Sequence, residues 1–238
     1  MTMLDMVVAL DRDIALLLNG WATQASTANR LIVLISGNNA VKMAPFLFIA
    51  AFYWNVAPVA ANRRIVINGL IGIFVAFFIG RFLQVSLPFR ARPIHDPAID
   101  LHLAAGLAPD TLGGWSSFPS DHGAIFAALI GLAFALSRPV GVLATLHTLI
   151  LVLGVRVYIG VHYLSDVLGG MAIGLLTAAI MQCPPVQRRF APGLEALEAR
   201  YPALFYGCAV VFLAELMDMF DDVREFASVA KAMLQGNF

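Results

Sequence analysis

An all-α, polytopic membrane bundle is the fold class this 238-residue chain predicts, and two observations predict it. The first is composition. Residues are 60% apolar and 13% charged, with a mean hydropathy of +0.82, where soluble domains run at about 45–50% and about 25%. The second is how the apolar residues are distributed. They fall into stretches of roughly 17–25, the length a helix needs to cross a bilayer. Backbone groups inside a bilayer cannot bond to water, so such stretches are expected as helices. No alternating pattern suggests a barrel.

Taken in order, residues 3–20 hold apolar positions interrupted by Asp5, Asp11, Arg12 and Asp13. That suits an amphipathic helix along the interface. The same charges deny the segment the uninterrupted apolar core of a cleavable signal. Spans are expected at 40–58, 65–88, 119–136, 140–160, 163–183 and 201–219. They number five or six, because Glu215 and Asp218 crowd the end of the last. CPPVQRRFAPG at 183–193 reads as a proline-containing linker. Residues 220–238 mix both charge signs with apolar spacing and read as a second interfacial helix. The whole chain, 1–238, reads as one membrane-embedded domain with 1–36 and 220–238 interfacial.

Arg63 and Arg64, Arg138, and Arg188, Arg189 and Arg200 fall in three loops on one side, which the positive-inside rule makes cytoplasmic. The long loop 89–118 and the turn near 157–162 then open on the other face, with Arg12, Arg30 and Lys42. Fifteen basic and fifteen acidic residues cancel, leaving no basic stripe for nucleic acid. Cys183 and Cys208 read as buried thiols, without a disulfide framework or a CxxC metal pair.

Three polar clusters share the extracytoplasmic face: LPFRARPIHD at 87–96, SSFPSDHGA at 116–124, and RVYIGVHYLSD at 156–166. Pro119 suits a first helical turn. Ser120, Asp121 and His122 would then lie near a helix N-terminus, where free N–H groups favour an anion. Ser120 reads equally well as a plain helix cap. His162 and Asp166 are four apart. If a helix begins near His162, the carboxylate can hold the imidazole and leave its other nitrogen free to attack. Arg90, Arg92 and Arg156 around two histidines suit a phosphate, whose oxygens match a guanidinium fork. The residues alone therefore propose metal-free phosphoryl transfer, one histidine attacking and the other protonating the leaving oxygen. A metal alternative would use His122, His162, Asp121 and Asp166, against repulsion from the arginines. Asp221 and Asp222 read as a solvated face, and His147 as a histidine bonded between helices.

These motifs resemble the type 2 phosphatidic acid phosphatase superfamily, which holds lipid phosphatases and vanadium-dependent haloperoxidases. The family pattern is Lys, six residues, then Arg-Pro; next Pro-Ser-Gly/Asp-His; last Ser-Arg, five residues, His, three residues, Asp. The third motif matches from Arg156 through His162 to Asp166, the second matches in its Asp form, and the likeness runs over about 64–183. The resemblance implies His162 as the nucleophile, Asp166 as its orienting carboxylate and His122 as the acid for the leaving group. It also implies Arg92, Ser120, Arg156 and the N–H of Gly123 as phosphate ligands, with no metal or cofactor. The chain departs from the pattern in three places. Val85 stands where the family has lysine, Val155 replaces serine, and Asp121 replaces glycine. Arg81 is the expected substitute for the lysine, and Arg90 the expected ligand of a second phosphate. The Asp form and PFRARPIHD resemble the bacterial undecaprenyl-diphosphate phosphatase branch.

The expected protein is an enzyme of the bacterial inner membrane with its site facing the periplasm. It would cleave undecaprenyl diphosphate, or else phosphatidate or phosphatidylglycerol phosphate, so its partners are polyprenyl or glycerolipid phosphates and membrane lipids. A non-hydrolytic transporter is the rival of another class. It would place paired polar residues at mid-span rather than at one face.

Overall fold

The computed structural model describes residues 2–22, 26–104 and 106–221, and no strand occurs among them. Ten α-helices follow in order among the described residues: α1 (Met3–Ala22), α2 (Thr27–Gly37), α3 (Asn39–Asn55), α4 (Val59–Ser86), α5 (Asp121–Leu136), α6 (Arg138–His147), α7 (Gly154–Tyr158), α8 (Leu164–Gln182), α9 (Pro184–Arg200) and α10 (Pro202–Met217). A π-helical turn over Thr148–Leu153 joins α6 to α7 and shifts the register of the segment that carries Arg156.

Among the described residues, three helical segments are long and apolar enough to cross a membrane: Val59–Ser86, Arg138–Tyr158 and Leu164–Gln182. The stretch expected at 40–58 is α3, paired with α2 across a 54° bend at Asn38. Those expected at 119–136 and 201–219 are the 16-residue helices α5 and α10. At 1.5 Å per residue each reaches about 24 Å, short of an apolar core about 30 Å thick.

Helix α5 is the axle of the bundle. It is apolar all round, and every side chain from Asp121 to Ile130 is buried between α4 and α8. Its closest partner is α8, which approaches through glycine. A Cβ on Gly170 would stand 2.2 Å from the Ser120 carbonyl, and one on Gly174 2.2 Å from that of Ala124. Backbone lies against backbone there. Gly174→Val is therefore expected to lower stability by about 1–3 kcal/mol or more, as overpacking does, and a thermal melt in detergent reads it.

Helix α1 differs from a surface helix of a soluble protein. It buries Asp11, Ala15, Asn19 and Ala22 against the bundle and exposes Met3, Met6, Leu10, Leu17 and Trp21. Its outward face carries large apolar side chains beside the exposed Asp5 and Asp13, while Asp11 points in. The linker expected at 183–193 is instead the first half of α9. Pro184 and Pro185 sit in the first turn, where the missing N–H costs nothing, so they start the helix. Cys208 is exposed and Cys183 half-buried, both as free thiols, so the expectation of two buried thiols holds for neither. Of the interfacial helix expected at 220–238, residues 222–238 lie outside those described. Phe220 is a core residue, its ring stacked 4.7 Å from that of Phe77.

The ends of the bundle differ in chemistry. At one end the C-terminus of α4, the N-termini of α5 and α8 and the C-terminus of α7 meet beneath the loop 87–120. The opposite end holds Arg63 and Arg64, paired with Glu198 at 2.9 Å and Glu195 at 2.6 Å on α9.

Candidate active site

Beneath the loop 87–120 lies a cavity of about 120 Å³. Arg92, Asp121, His122, Arg156 and His162 line it, with Asn39, Leu112, Met219 and Asp221 completing the wall. Two of the three polar clusters supply the histidines, and the helix starts determine how each sits. Ser120 caps α5, its Oγ accepting the Gly123 N–H at 3.3 Å, so α5 begins at Asp121 and not at Pro119. His122 thus enters the cavity from the first turn of α5. Arg156 Nη2 donates to its Nε2, and Lys42 Nζ lies 3.5 Å from the same nitrogen.

His162 sits in the short connection ahead of α8, which begins at Leu164 behind an N-cap at Tyr163. It is therefore not on one helical face with Asp166. Its Nδ1–H donates to the Ser117 carbonyl at 3.0 Å, while Asp166 Oδ2 stands 3.7 Å away, beyond hydrogen-bond distance. Its Nε2 accepts from Arg92 Nη1 at 3.1 Å. These two contacts suit the tautomer with the proton on Nδ1, and the Nε2 lone pair accepts the Arg92 N–H at the cavity wall.

Asp166 closes the capping box of α8, accepting the Tyr163 N–H at 2.7 Å, and also accepts from Ser117 Oγ. Ser117 therefore links the two, its carbonyl on His162 and its hydroxyl on Asp166. The carboxylate supports the histidine through this residue. Arg92 is held by the carbonyls of Val161 at 2.8 Å, Trp115 at 3.3 Å and Ser116 at 3.4 Å. A guanidinium fixed on three sides loses little freedom when an anion arrives.

Four expected ligands do not line the cavity, and two of them, Ser120 and the Gly123 N–H, are bonded to each other in the cap of α5. Arg90 does not line the cavity. Its guanidinium joins Asp166 at 2.5 Å to Asp11 at 2.7 Å and stacks on the Tyr163 ring. Arg81 also stays out of it, bonded to Gln84, 3.4 Å from Asp121 Oδ2 and over the Trp115 ring. Val85, at the family's lysine position, is 62% exposed on the outer face of α4. Sequence reasoning missed Lys42, Asp11 and Ser117. Lys42 and Asp11 did carry a signal: each is a charged residue in an apolar segment, and such residues mark sites more often than surfaces. Ser117 had none. His147 donates between helices as expected, its Nε2 at 3.1 Å from the Lys42 carbonyl.

Burial, chiefly, and then the charges of Arg92 and Arg156 push the His162 pKa down from 6.5 to about 4, against the opposing pull of Asp166. Two results follow. The imidazole is neutral, and so nucleophilic, at every pH above about 4, and the acid limb of kcat/KM assigned to it is expected there rather than near 6.5. Between those values the unfolded chain holds a proton that the folded one does not, so stability is full above 6.5 and declines as pH falls toward 4. Denaturant melts across that window check it.

Each histidine Nε2 faces a guanidinium, and among the described residues no three of His, Cys, Asp or Glu are placed to hold a metal ion. The arrangement sets two imidazoles and two guanidiniums around one small cavity, a chemistry suited to an anion.

A sequence model described as the PAP2 superfamily matches residues 65–189, from α4 into α9. Over 138 residues the chain is 28% identical to an Escherichia coli (strain K12) protein named "Putative undecaprenyl-diphosphatase YbjG". That alignment covers 57% of this chain and 63% of the relative, less than two thirds of its length. No solved structure gives a significant match.

Proposed function

Because this chain belongs to the PAP2 superfamily, we propose that it is an integral-membrane lipid phosphatase whose substrate is undecaprenyl diphosphate. The observation that carries the reading is the pairing of two histidines with two guanidiniums around one small cavity. His162 Nε2 attacks the terminal phosphorus. An N–P bond forms as the P–O bond to the lipid phosphate breaks, and His122 gives the departing oxygen its proton. His122 then takes a proton from water, which attacks the phosphohistidine. Inorganic phosphate leaves and His162 is restored. Arg92 and Arg156 hold the equatorial oxygens and offset the charge that grows on them.

The choice of a polyprenyl diphosphate rests on the name carried by the Escherichia coli relative and on the Asp121 form of the second motif. The apolar outer faces of the bundle suit a lipid tail. The basic residues at the end opposite the cavity support an extracytoplasmic site in the bacterial inner membrane.

The test is phosphate release by detergent-purified protein, without and with EDTA, offered undecaprenyl diphosphate and phosphatidate side by side. Release from the diphosphate with EDTA present supports both substrate and metal independence. Release from phosphatidate alone overturns the substrate. Loss of all release on adding EDTA overturns the metal-free chemistry.

A further inference from the structure

We infer that Asp11 is a positioning residue for His162: it braces Arg90 and offsets its charge, so that the Asp166 carboxylate still acts on the ring when Nε2 bonds to phosphorus. This deepens the phosphatase reading and rests on it. Asp11 is 3% exposed, midway along α1, and lies outside the segment that matches the superfamily. Its Oδ1 accepts the Ser165 N–H at 3.0 Å. Its Oδ2 accepts from the Ser165 hydroxyl and from Arg90 Nη2, the latter at 2.7 Å. Ser165 is the second residue of α8 and Asp166 the third. One carboxylate thus fixes both the chain neighbour of Asp166 and the guanidinium bonded to Asp166. Apolar contacts would dock α1 at a smaller desolvation cost, so a carboxylate buried here points to a use for its charge.

As Nε2 bonds to phosphorus and the P–O bond to the lipid phosphate breaks, Nδ1 keeps its proton on the Ser117 carbonyl, so the ring becomes a cation. Asp166 Oδ2, 3.7 Å from that nitrogen, is placed to stabilise the growing charge. Arg90 opposes it. Its Nη1 lies 2.5 Å from Asp166 Oδ1, and a carboxylate and a guanidinium alone have no net charge. With Asp11 on the other arm of the guanidinium, two carboxylates share one cation and one negative charge remains. Both carboxylates are buried, so salt and water screen little of it. Beyond them, Asp96 accepts from the Tyr163 hydroxyl at 2.7 Å and is offset by the charge of Arg12. Arg92 and Arg156 lie on the cavity side, where the phosphate would meet them.

The test is single-turnover cleavage by detergent-purified protein in excess over its lipid: undecaprenyl diphosphate or, where that alone is cleaved, phosphatidate. Appearance of the departing lipid is followed. The plateau rate at saturating protein reports bond cleavage and does not depend on the folded fraction; the half-saturating concentration reports binding. Asp11→Asn keeps an oxygen for the Ser165 N–H and removes the charge. It is expected to lower the plateau about tenfold to 100-fold, the weight of one poorly screened charge, while half-saturation moves less than about threefold. Asp11→Asn/Arg90→Gln removes the opposing charge as well and is expected to regain at least about fivefold over Asp11→Asn. A residue that only docks α1 gives the reverse, because losing a second partner loosens the contact further. A plateau for Asp11→Asn within about threefold of wild type overturns the inference. So does a loss carried by half-saturation, a folded double variant no faster than the single one, or an Asp11→Asn protein without a cooperative thermal melt. If the double variant fails to fold, the split between plateau and half-saturation in Asp11→Asn decides alone. A wild type that cleaves neither lipid overturns the phosphatase reading, and the inference with it.

Discussion

His162→Ala is expected to abolish phosphate release, lowering kcat by roughly four orders of magnitude or more, as removal of a covalent nucleophile does. The imidazole is held at both nitrogens, by the Ser117 carbonyl and by Arg92. It therefore approaches phosphorus with its orientation already established. Alanine removes the attacking atom and keeps the two guanidiniums, so lipid binding should survive and KM should change far less than kcat. His122→Ala differs in kind. It leaves the nucleophile and removes the acid, so the loss should be smaller, about 100-fold to 10,000-fold. It should also let a phosphohistidine persist, because the same residue activates the water that clears it. Protein incubated with terminally labelled substrate and denatured in alkaline detergent, where an N–P bond survives, separates the two. Label should stay on His122→Ala and be missing from His162→Ala. Label retained on His162→Ala would place the nucleophile elsewhere and end the proposed mechanism.

Asp166→Ala is expected to be the most destabilising substitution at the site, costing about 3–5 kcal/mol, the usual result of breaking a buried charge pair by deleting one partner. The carboxylate is fully buried and serves four neighbours: the Tyr163 N–H, Ser117 Oγ, Arg90 and, at 3.7 Å, His162. Arg90 is partly exposed and keeps Asp11, which places the expected value toward the lower end. Asp166→Asn should recover part of the loss, since an amide oxygen still accepts the Tyr163 N–H. The measurement is a thermal melt in detergent, read with activity at a temperature where the variant remains folded. A melting temperature within about 2 °C of wild type would show that the knot around Asp166 contributes little, since one kcal/mol shifts a chain this size by about 2–4 °C.

Much of the site was legible because its residues are close together in the sequence. Ser120 and His122 share one helix start, and His162 and Asp166 flank another. Periodicity placed those starts to within a residue or two. That margin decided the outcome at His162, where a helix beginning at Leu164 takes the histidine off the helix and routes Asp166 through Ser117. The missing lysine shows the opposite limit. Chain spacing directed attention to Val85 and then to Arg81, each near the expected place on α4, yet neither lines the cavity. Lys42 reaches His122 across 80 positions of sequence, and Asp11 reaches Ser165 across 154. No local pattern encodes such pairs.

By itself, the sequence determined the solvent this protein is built for, the helical class of its segments, the end of the bundle where the polar clusters gather, and the two histidines that line its cavity. Those are properties of composition and short-range spacing, where one residue type has few physical alternatives. The tertiary structure alone decided which of the expected cations line the cavity: Arg92 and Arg156 do, Arg90 and Arg81 do not. It turned Arg90 into a brace between Asp166 and Asp11, left Val85 facing outward, and brought Lys42 in from α3. The physical reason is that a buried charge is assigned by whatever lies within a few ångströms of it in space. In a bundle packed through glycine, those neighbours come from helices far apart along the chain.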